Sequence, residues 1–322
     1  MSTAGRAAVV GTASALVAAC LFAMLGPFAR FATEAGVDGI AFTMWRAMLG
    51  AVALAVGVAL RGGLGASRAA LAGLDRHSRI SLAVAAVMGL TLNAAIFTAY
   101  ERIPIALALI LFYTYPAGVA TVDVLLGRER LTPLRAASLG LASGGVVLVL
   151  AGGLGPDGGE GVEPLGVLLA LSAAASQVVF ITVSRTGYRS VPADTSIVLI
   201  LGTSAVGALV LAPLAGQWDA LLVPLASLDP WPVLLLAGVA SAGISSILFL
   251  TSIRLLGGTR TGILMLAEPV IGAVLAALWL GEALVPLQGV GGVLVLAGAT
   301  ILQLRSAPDH APVTEDGAAP LA

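Results

Sequence analysis

Glu129-Arg-Leu131-Thr-Pro133 returns 153 residues later as Glu282-Ala-Leu284-Val-Pro286, and Pro116 returns at the same offset as Pro269. In each copy a long apolar run leads from the first proline to the glutamate, and a second apolar run follows. The chain reads as one unit copied and fused.

The apolar runs set the solvent. Of 322 residues, 59% are hydrophobic and 10% charged, with a mean hydropathy of +1.04. A water-soluble domain carries roughly 25% charged residues, and a larger soluble core would still need a surface that faces water. Lipid removes the conflict. A helix crosses hydrocarbon with about 20 mostly apolar residues. Ten such runs are present: 8–30, 39–60, 80–99, 104–124, 133–152, 165–185, 194–215, 231–253, 259–280 and 286–304. Helix is the open-chain way to satisfy every backbone amide in lipid, and no strand-like alternation points to a barrel. The expected fold class is an all-α polytopic membrane protein of ten transmembrane helices, with the lipid bilayer as its first partner. Val17-Ala-Ala-Cys20 resembles a lipoprotein cleavage box, but the apolar run continues to about Phe31. It is read as the first crossing.

Arginine sets the orientation, because cytoplasmic segments accumulate positive charge. With the N-terminus inside, inward segments hold 13 arginines and outward segments hold two, Arg30 and Arg102. Arg46 remains, within the second span. Five spans precede the Gly/Pro/acid-rich segment 153–164 and five follow it. An odd number makes the second copy enter from the opposite side, so the repeats are inverted. The expected division is a first five-helix repeat at 8–152, an extracytoplasmic linker at 153–164, a second repeat at 165–304 and a disordered cytoplasmic tail at 305–322. The expected location is the cell membrane, with both termini cytoplasmic.

Several chemistries lack their residues. Cys20 is alone, and both histidines, His77 and His310, lie in polar segments. No metal site, disulfide framework, catalytic constellation, cofactor or nucleic-acid partner is expected. A phosphate-cradling G-x-x-x-x-G-K-[ST] loop is absent, and all 16 basic residues are arginine, which disfavours an ATP-driven pump.

Leu266-Ala-Glu268-Pro269 and Leu280-Gly281-Glu282 in the second copy, with Tyr115-Pro116 and Leu126-Gly127-Arg128-Glu129 in the first, resemble the drug/metabolite transporter superfamily, EamA type. Trp45-Arg46 fits that family's habit of an arginine in the second helix. The resemblance covers about residues 8–304. It implies ten helices around a central cavity, moving amino acids or other small metabolites.

Candidate residues follow from the cost of burying charge, roughly 2.5–3.5 kcal/mol each on insertion scales. Glu268 lies near the midplane, where burial favours a carboxyl that takes up and releases protons or binds a substrate amine. The competing role is helix association. The image of Glu268 at the 153 offset is Tyr115. Prolines Pro116 and Pro269 match while their neighbours differ, and that mismatch marks the expected site. Arg46 either pairs with Glu268, anchors a substrate carboxylate, or reaches outward to the headgroups. Asn93 and its image Ser246 fit a shared polar layer, or interhelical hydrogen bonds. Gln177 and Trp45 are weaker candidates of the same kind. Tyr113, two residues from Tyr115, is not expected to share its helix face. Asp123 is expected to meet Arg128 or Arg130 in a structural role. Glu129 and Glu282 are expected to favour the dipole of the next helix. Gly140 and Gly144, with Gly145 matching Gly298, allow close helix contact within the chain or across a homodimer.

The function these features favour is secondary active transport of a small-molecule substrate, most simply export, by alternating access around a midplane cavity and open to proton coupling. The alternatives are an intramembrane enzyme acting on a lipid-linked substrate, or a membrane subunit of a larger transport complex.

Overall fold

A computed structural model describes residues 3–37, 39–100, 102–103, 105–128, 130, 132–152, 163–280 and 286–304. Among these residues every regular element is helical. In chain order they are α1 (Thr3–Ala23), α2 (Leu25–Glu34), α3 (Gly39–Leu60), α4 (Leu64–Ala72), α5 (Arg76–Tyr100), α6 (Ile105–Phe112), α7 (Tyr115–Leu125) and α8 (Pro133–Gly152). Then follow α9 (Pro164–Thr186), α10 (Ala193–Leu214), α11 (Trp218–Ala226), α12 (Trp231–Gly238), a π-helical turn (Val239–Ile244), α13 (Ser245–Leu256), α14 (Gly258–Met265), α15 (Ala267–Leu280) and α16 (Pro286–Leu304).

Six stretches among the described residues are long and apolar enough to cross a membrane: Gly5–Glu34, Gly39–Leu60, Arg76–Ala99, Pro164–Thr186, Ala193–Leu214 and Trp231–Leu256. The other four expected spans fall on α6–α7, α8, α14–α15 and α16. Two features were not expected from sequence. Short helices α4 and α11 occupy segments read as plain connections, at nearly equivalent places in the two copies. Three expected spans are also broken. Proline explains each break, because its ring clashes with the carbonyl four residues back and offers no N–H to it. Pro27, Pro116 and Pro269 point four residues back to Ala23, Phe112 and Met265, where α1, α6 and α14 end.

The duplication is visible in the packing. Helix α8 lies along α16, and α3 along its own image α10. The pair α5 and α9 corresponds to the pair α13 and α1. A Cβ on Gly145 would meet the Gly291 carbonyl oxygen at 2.6 Å and the Val295 amide nitrogen at 2.8 Å. A Cβ on Gly298 would meet the Ser138 carbonyl oxygen at 2.7 Å and the Ala142 amide nitrogen at 3.0 Å. The two sets are each other's images at the 153 offset. Ascending α8 from Ser138 to Gly145 descends α16 from Gly298 to Gly291, so the two helices run antiparallel. Small residues let backbones touch where lipid gives helices no hydrophobic reason to associate.

The ends of the long helices are tied by local chemistry. Asp75 caps α5, accepting from the backbone N–H of His77 and Ser78 at 3.2 Å each, and the Ser78 bonds hold its carboxyl below the usual range. The amide of Ile40 donates to Gln217 Oε1 at 2.8 Å, which fastens the start of α3 to α11. Residues 153–162, Glu129, Glu282 and the tail from 305 lie outside the described residues, with the capping roles expected there.

Candidate functional site

The break between α6 and α7 leaves Tyr113 and Thr114 in a turn, and the break between α14 and α15 falls on Leu266. Tyr113 and Leu266 are 153 residues apart. Pro116 stands in the first turn of α7, where a missing N–H costs no helical hydrogen bond. Pro269 does the same for α15, beside Glu268.

The first break rearranges the aromatic residues. In a continuous helix, residues two apart point to different sides. Here the rings of Tyr113 and Tyr115 have centroids 6.1 Å apart. Phe112 contacts both, at 5.4 Å and 5.2 Å. The expected separation of the two tyrosines is therefore corrected: the turn folds them together. Both are buried. Tyr113 and Tyr115 both lie near enough to the half-buried Glu268 side chain to interact with it. The mismatch at the 153 offset thus becomes a contact, with tyrosines from the first copy meeting the acid of the second.

Arg46 turns inward. It is 4% exposed, and its Nη2 donates to Asn93 Oδ1 at 2.5 Å. Its guanidinium carbon stands 5.6 Å from the Phe97 ring centroid. Asn93 Nδ2 donates to the Gly89 carbonyl at 2.7 Å, which fixes the amide. Among the described residues no ion pair joins Arg46 to Glu268, so the expected pair is replaced by Arg46 and Asn93. The reach to the headgroups is also not adopted. The next residue, Trp45, has a different task. Its indole donates to the Leu221 carbonyl at 3.0 Å, and its ring meets Trp231 edge-on at 5.6 Å, which locks α3 to α11 and α12.

Phe112 and Met48 link the two regions. Each packs against the apolar cluster holding Trp45 and Phe97 and against the one holding Tyr113 and Tyr115. Gln177 is buried in α9. Ser246 is half-buried, while its neighbour Ser245 donates to the Ser241 carbonyl at 2.7 Å. Asn93 is joined to Arg46.

A second polar cluster lies at the other end of α7. Asp123 is 1% exposed. It meets Arg185 at 3.3 Å and Arg128 at 3.9 Å, and Thr259 donates to it at 3.3 Å. Arg128 is the expected partner. Arg185 and Thr259 belong to the second copy, and sequence alone does not bring them here. Among the described residues no three His, Cys, Asp or Glu side chains gather as metal ligands.

The EamA-like transporter family matches the sequence over residues 9–151 and again over residues 164–304. The chain belongs to this family. It is a family of membrane transporters, and its two matched ranges account for the two-copy architecture. No curated protein matches the chain closely. A solved crystal structure 22% identical to it superposes with a TM-score of 0.75, covering 91% of this chain and 96% of the other. At that identity the likeness is one of fold.

Proposed function

We propose that this EamA-family protein is a secondary active exporter of small metabolites, working by alternating access between two inverted five-helix repeats. The repeats are residues 8–152 and 165–304, joined by an outward linker at 153–164. They cross the cell membrane ten times with both termini cytoplasmic. The antiparallel contact of α8 with α16 supports inversion, and the arginine asymmetry supports the orientation. The observation that carries the reading is the meeting of Tyr113 and Tyr115 with Glu268. It joins the first repeat to the second where both helices are interrupted. Interrupted helices leave backbone groups free at depth, which is where such carriers hold cargo and coupling ions. A carboxyl in that place can exchange a proton for a substrate as the halves move.

Asp123 supports the same cycle from the cytoplasmic end. It ties α7 of one repeat to α9 and α14 of the other, a contact that must part when that side opens. The test is flux in vesicles reconstituted with the purified protein. A metabolite panel is offered with and without an imposed pH gradient, using wild type and Glu268→Gln. Gradient-driven flux in the wild type, lost in the variant, is the expected result. Gradient-driven flux of equal size in both would remove Glu268 from the coupling step. No flux for any metabolite would remove the transport reading.

A further inference from the structure

No charge among the described residues answers that of Arg46. Among the described residues its one hydrogen-bond acceptor is the neutral Asn93 amide. Its Nε is buried without a partner. The Phe97 face at 5.6 Å offers partial compensation. The other polar groups around it are committed: Trp45 Nε1 to Leu221 and Asn93 Nδ2 to Gly89. No described carboxylate pairs with it. A ring face and an amide oxygen soften a desolvated guanidinium without neutralising it, and an isolated buried charge is strongly unfavourable.

Geometry favours a ligand in that role over a merely tolerated cation. Asn93 is itself anchored to its own helix, so it holds the guanidinium in a set position on one side and leaves Nε as an unused donor. A guanidinium fork matches the two oxygens of a carboxylate, and a carboxylate supplies the missing negative charge. Phe112 touches both Tyr113 and Tyr115 and also packs against the cluster that holds Trp45 and Phe97, which links this place to the tyrosines beside Glu268.

We propose that Arg46 is the receptor for the carboxylate of a small organic acid or zwitterion, and that Asn93 is its positioning residue. This rests on the transporter reading above and names the ligand chemistry of its site.

The experiment uses the full-length protein in detergent at constant ionic strength. Monocarboxylates and α-amino acids are compared with their carboxamides and with sodium chloride, by thermal shift and titration calorimetry. Carboxylates are expected to raise the melting temperature, and carboxamides and chloride to leave it unchanged. Arg46→Gln should weaken carboxylate binding at least about tenfold, and Arg46→Lys, which keeps the charge and loses the fork, should weaken it less. Asn93→Asp would place a permanent carboxylate beside the guanidinium. It should raise the melting temperature of the unliganded protein and abolish the carboxylate response. A response shared by carboxamides or chloride, a response intact in Arg46→Gln, or no response in the whole panel would overturn the proposal. Carboxylate binding without flux in vesicles would leave this site standing and remove the transport reading. Flux of a substrate lacking any anionic group, undisturbed by Arg46→Gln, would do the reverse.

Discussion

Tyr113 in the first copy stands beside the Glu268 side chain in the second. It does so from a turn that a continuous helix would not contain. The contact spans the two halves of a duplicated chain, so movement of one half against the other is expected to change it.

Tyr113→Phe removes the donor and keeps the ring that touches Phe112 and Tyr115. A hydrogen bond to a charged group is worth about 1.5–3 kcal/mol. Flux driven by a pH gradient is expected to fall about tenfold or more, and Tyr115→Phe is expected to cost less. Equal losses in the two variants, measured in the same vesicles, would contradict a hydrogen bond from Tyr113 to Glu268.

Asp123→Asn is expected to destabilise the protein strongly, because removing one partner of a buried ion pair costs about 3–5 kcal/mol. Arg185 lies 3.3 Å away and would lose this carboxylate partner. The double variant Asp123→Asn with Arg185→Gln should recover part of the loss. Thermal melts of the four proteins complete the cycle, and strictly additive losses would show that the contact is unimportant.

Pro116→Ala and Pro269→Ala return an N–H to the carbonyls of Phe112 and Met265, where α6 and α14 end. Each is expected to raise the melting temperature and slow turnover, since a healed helix gives up the break that brings Tyr113 to Glu268. Unchanged turnover alongside raised stability would separate the breaks from transport.

How much of this was legible beforehand depended on the range of the physics. Apolar length reports on solvent and can be read locally. Duplication is legible because one offset relates Pro116 to Pro269 and Glu129 to Glu282. The pairing of Tyr113 with Tyr115 was missed because helical periodicity was carried through a proline. The four-residue reach of the proline clash places the break at Phe112 and would have exposed the error. The contacts of Asp123 with Arg185, and of Arg46 with Asn93, were not legible. Nothing local in the sequence sets the rotation of one helix against another. Helices α4 and α11 escaped notice because each is short, mixed in polarity and flanked by glycine or polar turns.

Gly145→Ala and Gly298→Ala form a matched pair. The new methyl groups would stand 2.6 Å and 2.7 Å from carbonyl oxygens of the opposite helix. Overpacking of this kind costs about 1–3 kcal/mol. Both variants should lose stability to a similar degree in thermal melts, with Gly140→Ala, which meets nothing within 4 Å, as the harmless control. A large difference between the two would count against equivalent environments.

The seam between α8 and α16 has a consequence for how the chain can change. Ser138 serves Gly298 as Gly291 serves Gly145, so each surface is both lock and key. A one-residue insertion in either helix would spoil both ends of the seam at once, and an insertion in the matching place of the other helix would be needed to restore them. Two stretches of sequence far apart in the gene are thereby bound to drift in step.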